Sequence, residues 1–327
     1  MGNSAYSLAL ILLASVASAQ EIAPQGNPKV DQRVVGRIVR PGAKSMLPVA
    51  GVWAILHRVG SDAASPLDSM QTNGAGEYSF TYRKTGDDQA IYFVSASYSG
   101  IAYFTTPLHH ALVKNDEAEI AVFDTTSRSV PTSIRGHHVI VSAVNPNAVR
   151  SVTEVYELAN DSSVTRVAAN STPGGAVWSA AFPAGARNFR VSQGDVPADA
   201  VTFSAGRAFV FAPLAPGLKQ LSFTYDVPAS SFPLNVRIDR PTEVYEVLIE
   251  EPSGTVTGAQ LKEVDAVSLE KRMFRRFLAS NIPANVASVI DLPRATEGRV
   301  DSRYLIGITV IIGGSMVFAL ARALRKA

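Results

Sequence analysis

Thr72-Asn73-Gly74-Ala75-Gly76-Glu77-Tyr78-Ser79-Phe80-Thr81-Tyr82 is the stretch whose reading decides the fold class. Its first half is turn chemistry, since Asn73-Gly74 and Gly76 supply the positive φ that a tight connection needs. In its second half Tyr78 and Phe80, two apart, point to one face of a strand and enter a core. The same grammar extends outward. Residues 34–39, 52–56, 78–82 and 91–98 are short runs rich in β-branched and aromatic residues, and Pro41-Gly42, Ser65-Pro66 and Gly86-Asp87-Asp88 separate them at turn positions. The expected class is all-β, with tandem antiparallel β-sandwich domains of Ig or transthyretin type and one C-terminal transmembrane α-helix.

Four segments carry a family resemblance: Val34-x-Gly36-x-Ile38, Pro48-Val49-Ala50-Gly51-Val52-x-Ala54-x-Leu56, Thr72-Asn73-x-x-Gly76-x-Tyr78-x-Phe80 and Tyr92-x-Val94-x-Ala96-x-Tyr98. Together they resemble the carboxypeptidase regulatory-like module, a small transthyretin-type β-sandwich found on exported bacterial proteins. The resemblance covers about residues 30–105 of the chain. It implies a fold and no activity, because in its namesake the module sits beside the peptidase and is not the catalyst.

The expected organisation is a signal peptide over 1–19, the regulatory-like sandwich over 28–125, a second sandwich over 126–216, a third β region over 217–293, a stalk over 294–303, a membrane span over 304–321 and a tail over 322–327. In the second region strands are expected at 138–144, 152–158, 164–168, 176–182, 188–192 and 208–212, and a further strand at 219–225 opens the third. Pro213 to Gly217 reads as a boundary or a stiff connection. Thr153-Glu154-Val155-Tyr156-Glu157 recurs 89 residues later as Thr242-Glu243-Val244-Tyr245-Glu246, a spacing close to one sandwich domain. Residues 261–290 admit two readings. Lys262, Lys271, Arg272, Arg275 and Arg276 with Met273, Phe274, Phe277 and Leu278 suit a basic amphipathic helix on a membrane surface, whereas 277–292 also reads as two short strands; strands are preferred because Pro283 limits a helix.

The two ends set the expected compartment. Residues 6–16 are an apolar run followed by Ala17-Ser18-Ala19, a small-residue pattern that a signal peptidase accepts, and the run is too short to span a bilayer. Residues 304–321 carry no charge and would span about 27 Å as a helix, close to a hydrocarbon core. Arg322, Arg325 and Lys326 follow and mark the cytoplasmic side, which leaves the body of the protein outside, in the periplasm. Ser315, Ala319 and Ala323 recur every four residues, with Gly307 two such steps earlier, a small-residue stripe suited to packing against another membrane helix.

Composition then removes functions. The 327 residues include no cysteine, which excludes disulfides, thiolate chemistry, iron–sulfur clusters and covalent haem attachment. With 30 Lys+Arg against 28 Asp+Glu the charge is too balanced to argue for nucleic acid. No nucleophile-elbow or zinc-peptidase motif occurs. His57, His109, His110, His137 and His138 read as loop or edge-strand residues, and the adjacent pairs point to opposite faces of a strand, so they cannot chelate one ion. Asp87-Asp88 and Asn115-Asp116-Glu117 read as solvated turn clusters without full calcium-loop spacing. No catalytic, cofactor or metal site is therefore expected. Trp53, Trp178, Tyr98, Tyr103 and Phe104 are the candidates for contact with a sugar ring or a protein partner.

These readings lead to a non-enzymatic, membrane-anchored accessory or scaffolding subunit of a larger membrane complex of respiratory, photosynthetic or cytochrome-maturation type. The alternative is a cell-surface carbohydrate- or peptidoglycan-binding module, and a weaker one is a hydrolase without a recognisable motif. The partners expected are the membrane and other subunits, with carbohydrate as the alternative ligand and no nucleic acid.

Overall fold

A computed structural model describes residues 31–294, which fold as two compact all-β units. The first comprises residues 31–39, 48–96 and 103–120, and the second residues 40–47, 97–102 and 121–294. Among the described residues no helix is long and apolar enough to cross a membrane. The expected signal peptide, stalk beyond Arg294, membrane span, tail and helix-packing residues Gly307, Ser315, Ala319 and Ala323, with Arg322, Arg325 and Lys326, lie outside the described residues.

The first eight strands, which lie mainly in the N-terminal unit, are β1 (Asp31–Pro41), β2 (Met46–Pro48), β3 (Trp53–Val59), β4 (Ala64–Gln71), β5 (Glu77–Arg83), β6 (Ile91–Tyr98), β7 (Ile101–Phe104) and β8 (Leu112–Ala121). They form two four-stranded sheets, one ordered β2-β1-β5 with β8 also on β1, the other ordered β4-β3-β6-β7. The alternation is strict in β5, where Tyr78, Phe80 and Tyr82 are buried and the intervening residues exposed. Gly36 lies opposite Tyr78 in the β1–β5 register. A Cβ there would meet the Ala118 carbonyl at 2.0 Å and the Tyr78 ring at 2.5 Å, so glycine alone lets the ring cross β1 and donate its hydroxyl to Ala118 O at 2.6 Å. At the β4–β5 connection Gly76 alone has positive φ, at 75°, whereas Asn73 and Gly74 do not. Asn73 acts through its side chain instead, accepting at Oδ1 from the Ala75 and Glu77 amides at 2.9 Å each. Ser65-Pro66, expected as a turn, lies within β4, where a register shift and an edge position accommodate a residue without an amide hydrogen.

The larger unit contains β9 (Thr125–Thr126), β10 (Thr132–Val141), β11 (Val149–Asn160), β12 (Thr165–Arg166), β13 (Trp178–Ala181), β14 (Arg187–Val191), β15 (Val201–Ser204), β16 (Arg207–Val210), β17 (Gly217–Pro228), β18 (Leu234–Ile238), β19 (Thr242–Ile249), β20 (Thr255–Gly258), β21 (Lys262–Leu269), β22 (Arg272–Ile282) and β23 (Val286–Asp291). A seven-stranded sheet ordered β14-β17-β11-β10-β19-β22-β21 shares one hydrophobic core with the three-stranded sheets β13-β16-β15 and β18-β23-β20. This corrects the expected division at 216/217. β17 pairs with β11 along its whole length and β19 pairs in parallel with β10, so residues 126–216 and 217–293 build one sheet. The Pro213–Gly217 connection lies inside the unit, and its Leu214 is buried.

Residues 261–290 are mostly strands, and three of the basic residues expected to face a membrane, the arginines, are matched by carboxylates. Arg272 pairs with Glu250 at 3.2 Å, Arg275 grips Glu263 through two bonds of 2.7 and 2.8 Å, and Arg276 binds Glu246. At the end of the described chain the buried Arg150 of β11 donates to Pro293 O at 3.0 Å and Glu251 Oε2 at 3.1 Å, holding residue 293 against the sheet.

Candidate functional site

In the N-terminal unit, β3 and β6 bury Ala54, Leu56, Tyr92, Val94 and Ala96, and the period of two then turns Trp53, Ile55, His57, Val59, Ile91, Phe93 and Ser95 to the opposite face. Register sets these residues in rows: Trp53 beside Gln71, Ile55 between Ser69 and Ser95, His57 between Pro66 and Phe93, and Val59 between Ala64 and Ile91. Not one position in these rows carries a carboxylate, ammonium or guanidinium. The His57 ring stacks on Phe93 at 5.0 Å and shares a 2.8 Å hydrogen bond with Ser95 Oγ, while Phe93 meets Phe104 edge-on at 5.7 Å. Partial burial lowers the His57 pKa, so the imidazole on this face is neutral at pH 7. Trp53 is 53% exposed and Phe104 58%. The result is an uncharged, aromatic outer sheet face, open at Trp53 and Phe104.

The other aromatic candidates lie elsewhere. Tyr103 is buried on the inward side of β7, and Tyr98 donates to Asp124 Oδ1 at 3.0 Å. Trp178 is only 5% exposed and packs against Tyr156 at 4.9 Å and Phe223 at 6.3 Å, so its ring cannot serve as a surface platform. Burial decides this outcome, because on a strand half of the aromatic residues face inward and composition does not say which half.

The histidines also need correction. His109 and His110 sit in an exposed loop, as expected, but His57 lies on β3 and His137 lies buried in β10, at the centre of the seven-stranded sheet. The recurring pentapeptide explains its surroundings. β11 and β19 flank β10, so Tyr156 and Tyr245 stand on either side of His137, stacked at 4.1 Å and tilted at 5.1 Å. The Glu154 carboxylate, fully buried, receives hydrogen bonds from His137 Nε2 at 2.7 Å, Tyr156 OH at 2.6 Å and Tyr225 OH at 2.6 Å. Burial alone would raise the Glu154 pKa, but these three bonds and the histidine charge outweigh it and hold it below the ordinary value. Tyr156 and Tyr225 shift upward, through burial first and the Glu154 charge second. Buried and mutually hydrogen-bonded, this cluster satisfies its own polar groups.

His138, one residue on, faces the opposite side and bonds Glu246 Oε2 at 2.6 Å. Of the acidic clusters, Asp87 is a turn cap whose oxygens accept from Ser61 N and Oγ and from Gln89 N, bonds that draw its pKa down to about 2. Asn115, Asp116 and Glu117 lie within β8 rather than in a turn. Among the described residues no three His, Asp or Glu side chains are grouped to hold a metal ion. The chain matches no family model, and a search of curated proteins finds no relative.

Proposed function

We propose that the chain is a non-enzymatic interaction subunit of the cell envelope, exported to the periplasmic side, held by a C-terminal transmembrane helix and docked to partner proteins of a membrane complex through its N-terminal unit. That unit is read as a regulatory-like, transthyretin-type sandwich. The observation that carries the proposal is the uncharged aromatic face of β4-β3-β6-β7. Exposed contiguous apolar surface costs solubility, and an aromatic centre poor in charge is the composition of the core of a protein interface. The small-residue stripe of the expected span supplies a second contact within the membrane.

Purification of the full chain in mild detergent tests this reading. Stoichiometric co-purification of membrane partners, lost in Val59→Lys or Phe104→Ser, is the expected result. Recovery as a lone monomer refutes it. Trp53 favours one second reading, because Gln71 beside it and Ser69 nearby place an amide and a hydroxyl around an exposed indole, the elements of a sugar-stacking site. Retention on a glycan column that Trp53→Ala abolishes and Val59→Lys does not would establish that reading instead.

A further inference from the structure

In the larger unit two of the unpaired polar atoms belong to residues of one pocket. Among the described residues three buried side-chain nitrogens lack a hydrogen-bond partner: Arg150 Nε, Arg166 Nε and Trp178 Nε1. Arg166 and Trp178 both belong to the wall of one open pocket of about 240 Å³, which Arg240, Ser129, Thr132 and Ser179 also line. The Arg240 guanidinium lies 5.6 Å above the Trp178 ring. Buried donors in native proteins are almost always paired, and one left unpaired calls for an explanation, a bound water or ion among them.

Charge is as unbalanced as hydrogen bonding. Asp239 is the one carboxylate within ion-pair distance of any of Arg166, Arg207, Arg237 and Arg240, and it is shared by Arg207 at 3.7 Å and Arg237 at 3.5 Å. Arg166 and Arg240 have no ionic partner among the described residues. Burial, then the charges of Arg207 and Arg166, lower the Arg240 pKa against a smaller opposing pull from Asp239 and Tyr156, and an anion in the pocket would add to that pull.

We propose that this pocket binds a small dianion of the phosphate or sulfate class. Two guanidiniums without an ion-pair contact match the charge of a dianion, whereas a lone carboxylate would leave one of them unneutralised. The Arg240 guanidinium presents a fork of N–H donors that fits a tetrahedral oxyanion, Arg166 adds donors beyond the Nη2 that reaches Ala176 O at 3.4 Å, and three hydroxyls complete a donor shell. Free phosphate and the terminal group of a phosphate monoester share this chemistry. The site is independent of the docking face on the N-terminal unit.

The test uses the full chain carrying Trp53→Phe, which leaves Trp178 as its one tryptophan. Inorganic phosphate, sulfate and glycerol 3-phosphate are titrated against its fluorescence, with acetate and chloride at matched ionic strength as controls. The expected result is a saturable change with the dianions only, weakened at least tenfold in Arg240→Gln and in Arg166→Gln. A monoester that binds tighter than phosphate identifies an ester ligand, and the reverse order a free anion. An identical, non-saturating response to dianions and controls overturns the proposal, as does saturable binding undiminished in both arginine variants. Thermal melting without ligand gives an independent check. Arg240→Gln should melt at or above the parent temperature, because a binding arginine trades stability for function. A drop of several degrees would make Arg240 a structural residue and overturn the site.

Discussion

The two units solve the same problem with opposite surfaces. In the N-terminal unit the outer face of β4-β3-β6-β7 is aromatic and uncharged, and the buried residues of its inner face are apolar apart from Arg58, which turns back to grip Asp62 at 2.7 and 2.9 Å. In the larger unit the outward side of the seven-stranded sheet is polar: Ser192, Thr224 and Thr153 form a hydroxyl chain of 2.6 and 3.0 Å, and His138 and Arg276 converge on Glu246. Its interior instead carries the ionisable Glu154 cluster. Exposed apolar surface is tolerated where a partner covers it, and buried charge is tolerated where every lone pair is satisfied. The contrast sets an uncharged outer face in one unit against an ordered polar interior in the other, and the proposed docking role rests on the first.

The two tryptophans fall one in each unit, so fluorescence of single-tryptophan variants separates the two unfolding transitions. Glu154→Ala should have the largest effect, lowering the stability reported by Trp178 by about 3–5 kcal/mol while the Trp53 transition stays in place, because it leaves His137 and two tyrosine hydroxyls unpaired in the core. Equal losses at both probes would dissolve the distinction between the units. Gly36→Ala is the mirror experiment. Its Cβ has no room beside Ala118 O and the Tyr78 ring, and denaturant titration should show a loss of about 3 kcal/mol confined to Trp53.

Acid should separate the units further. Glu154 binds its proton less readily folded than unfolded, so its contribution is complete above the ordinary value of 4.5 and is lost as pH falls through the lowered folded value. Asp87 has the same sign in the N-terminal unit, where the loss runs from 3.8 down through about 2. Melting followed from pH 6 to pH 2 should therefore show the larger unit weakening first, and Glu154→Gln should flatten its acid limb. The smallest expected effect on stability is that of Val59→Lys, within about 0.5 kcal/mol of the parent, since the residue is exposed. The same variant should still abolish partner association, and a full loss of stability without loss of binding would make the face structural.

The N-terminal strands were legible because alternation and turn chemistry are local. Tyr78, Phe80 and Gly76 can be placed from a dozen residues, as can the outward direction of Trp53 relative to Ala54. The recurring pentapeptide was visible too, but its meaning was not. Glu154 and Tyr156 differ from Glu243 and Tyr245 only in environment, and Glu243 ends in an exposed pair with Arg135 while Glu154 is sealed in the core. Even Trp178 could be singled out as important without revealing that it faces inward.

By itself the sequence determined the all-β class, the strand periods and the absence of thiol chemistry, because each depends on residue type and spacing of two. Tertiary structure alone decided that β10 and β19 pair in parallel, that strands from both 126–216 and 217–293 share the seven-stranded sheet, and that Arg166 and Arg240 line one pocket across 74 positions of chain. Which strands become neighbours is a property of long-range register and shared burial, and no local pattern encodes it.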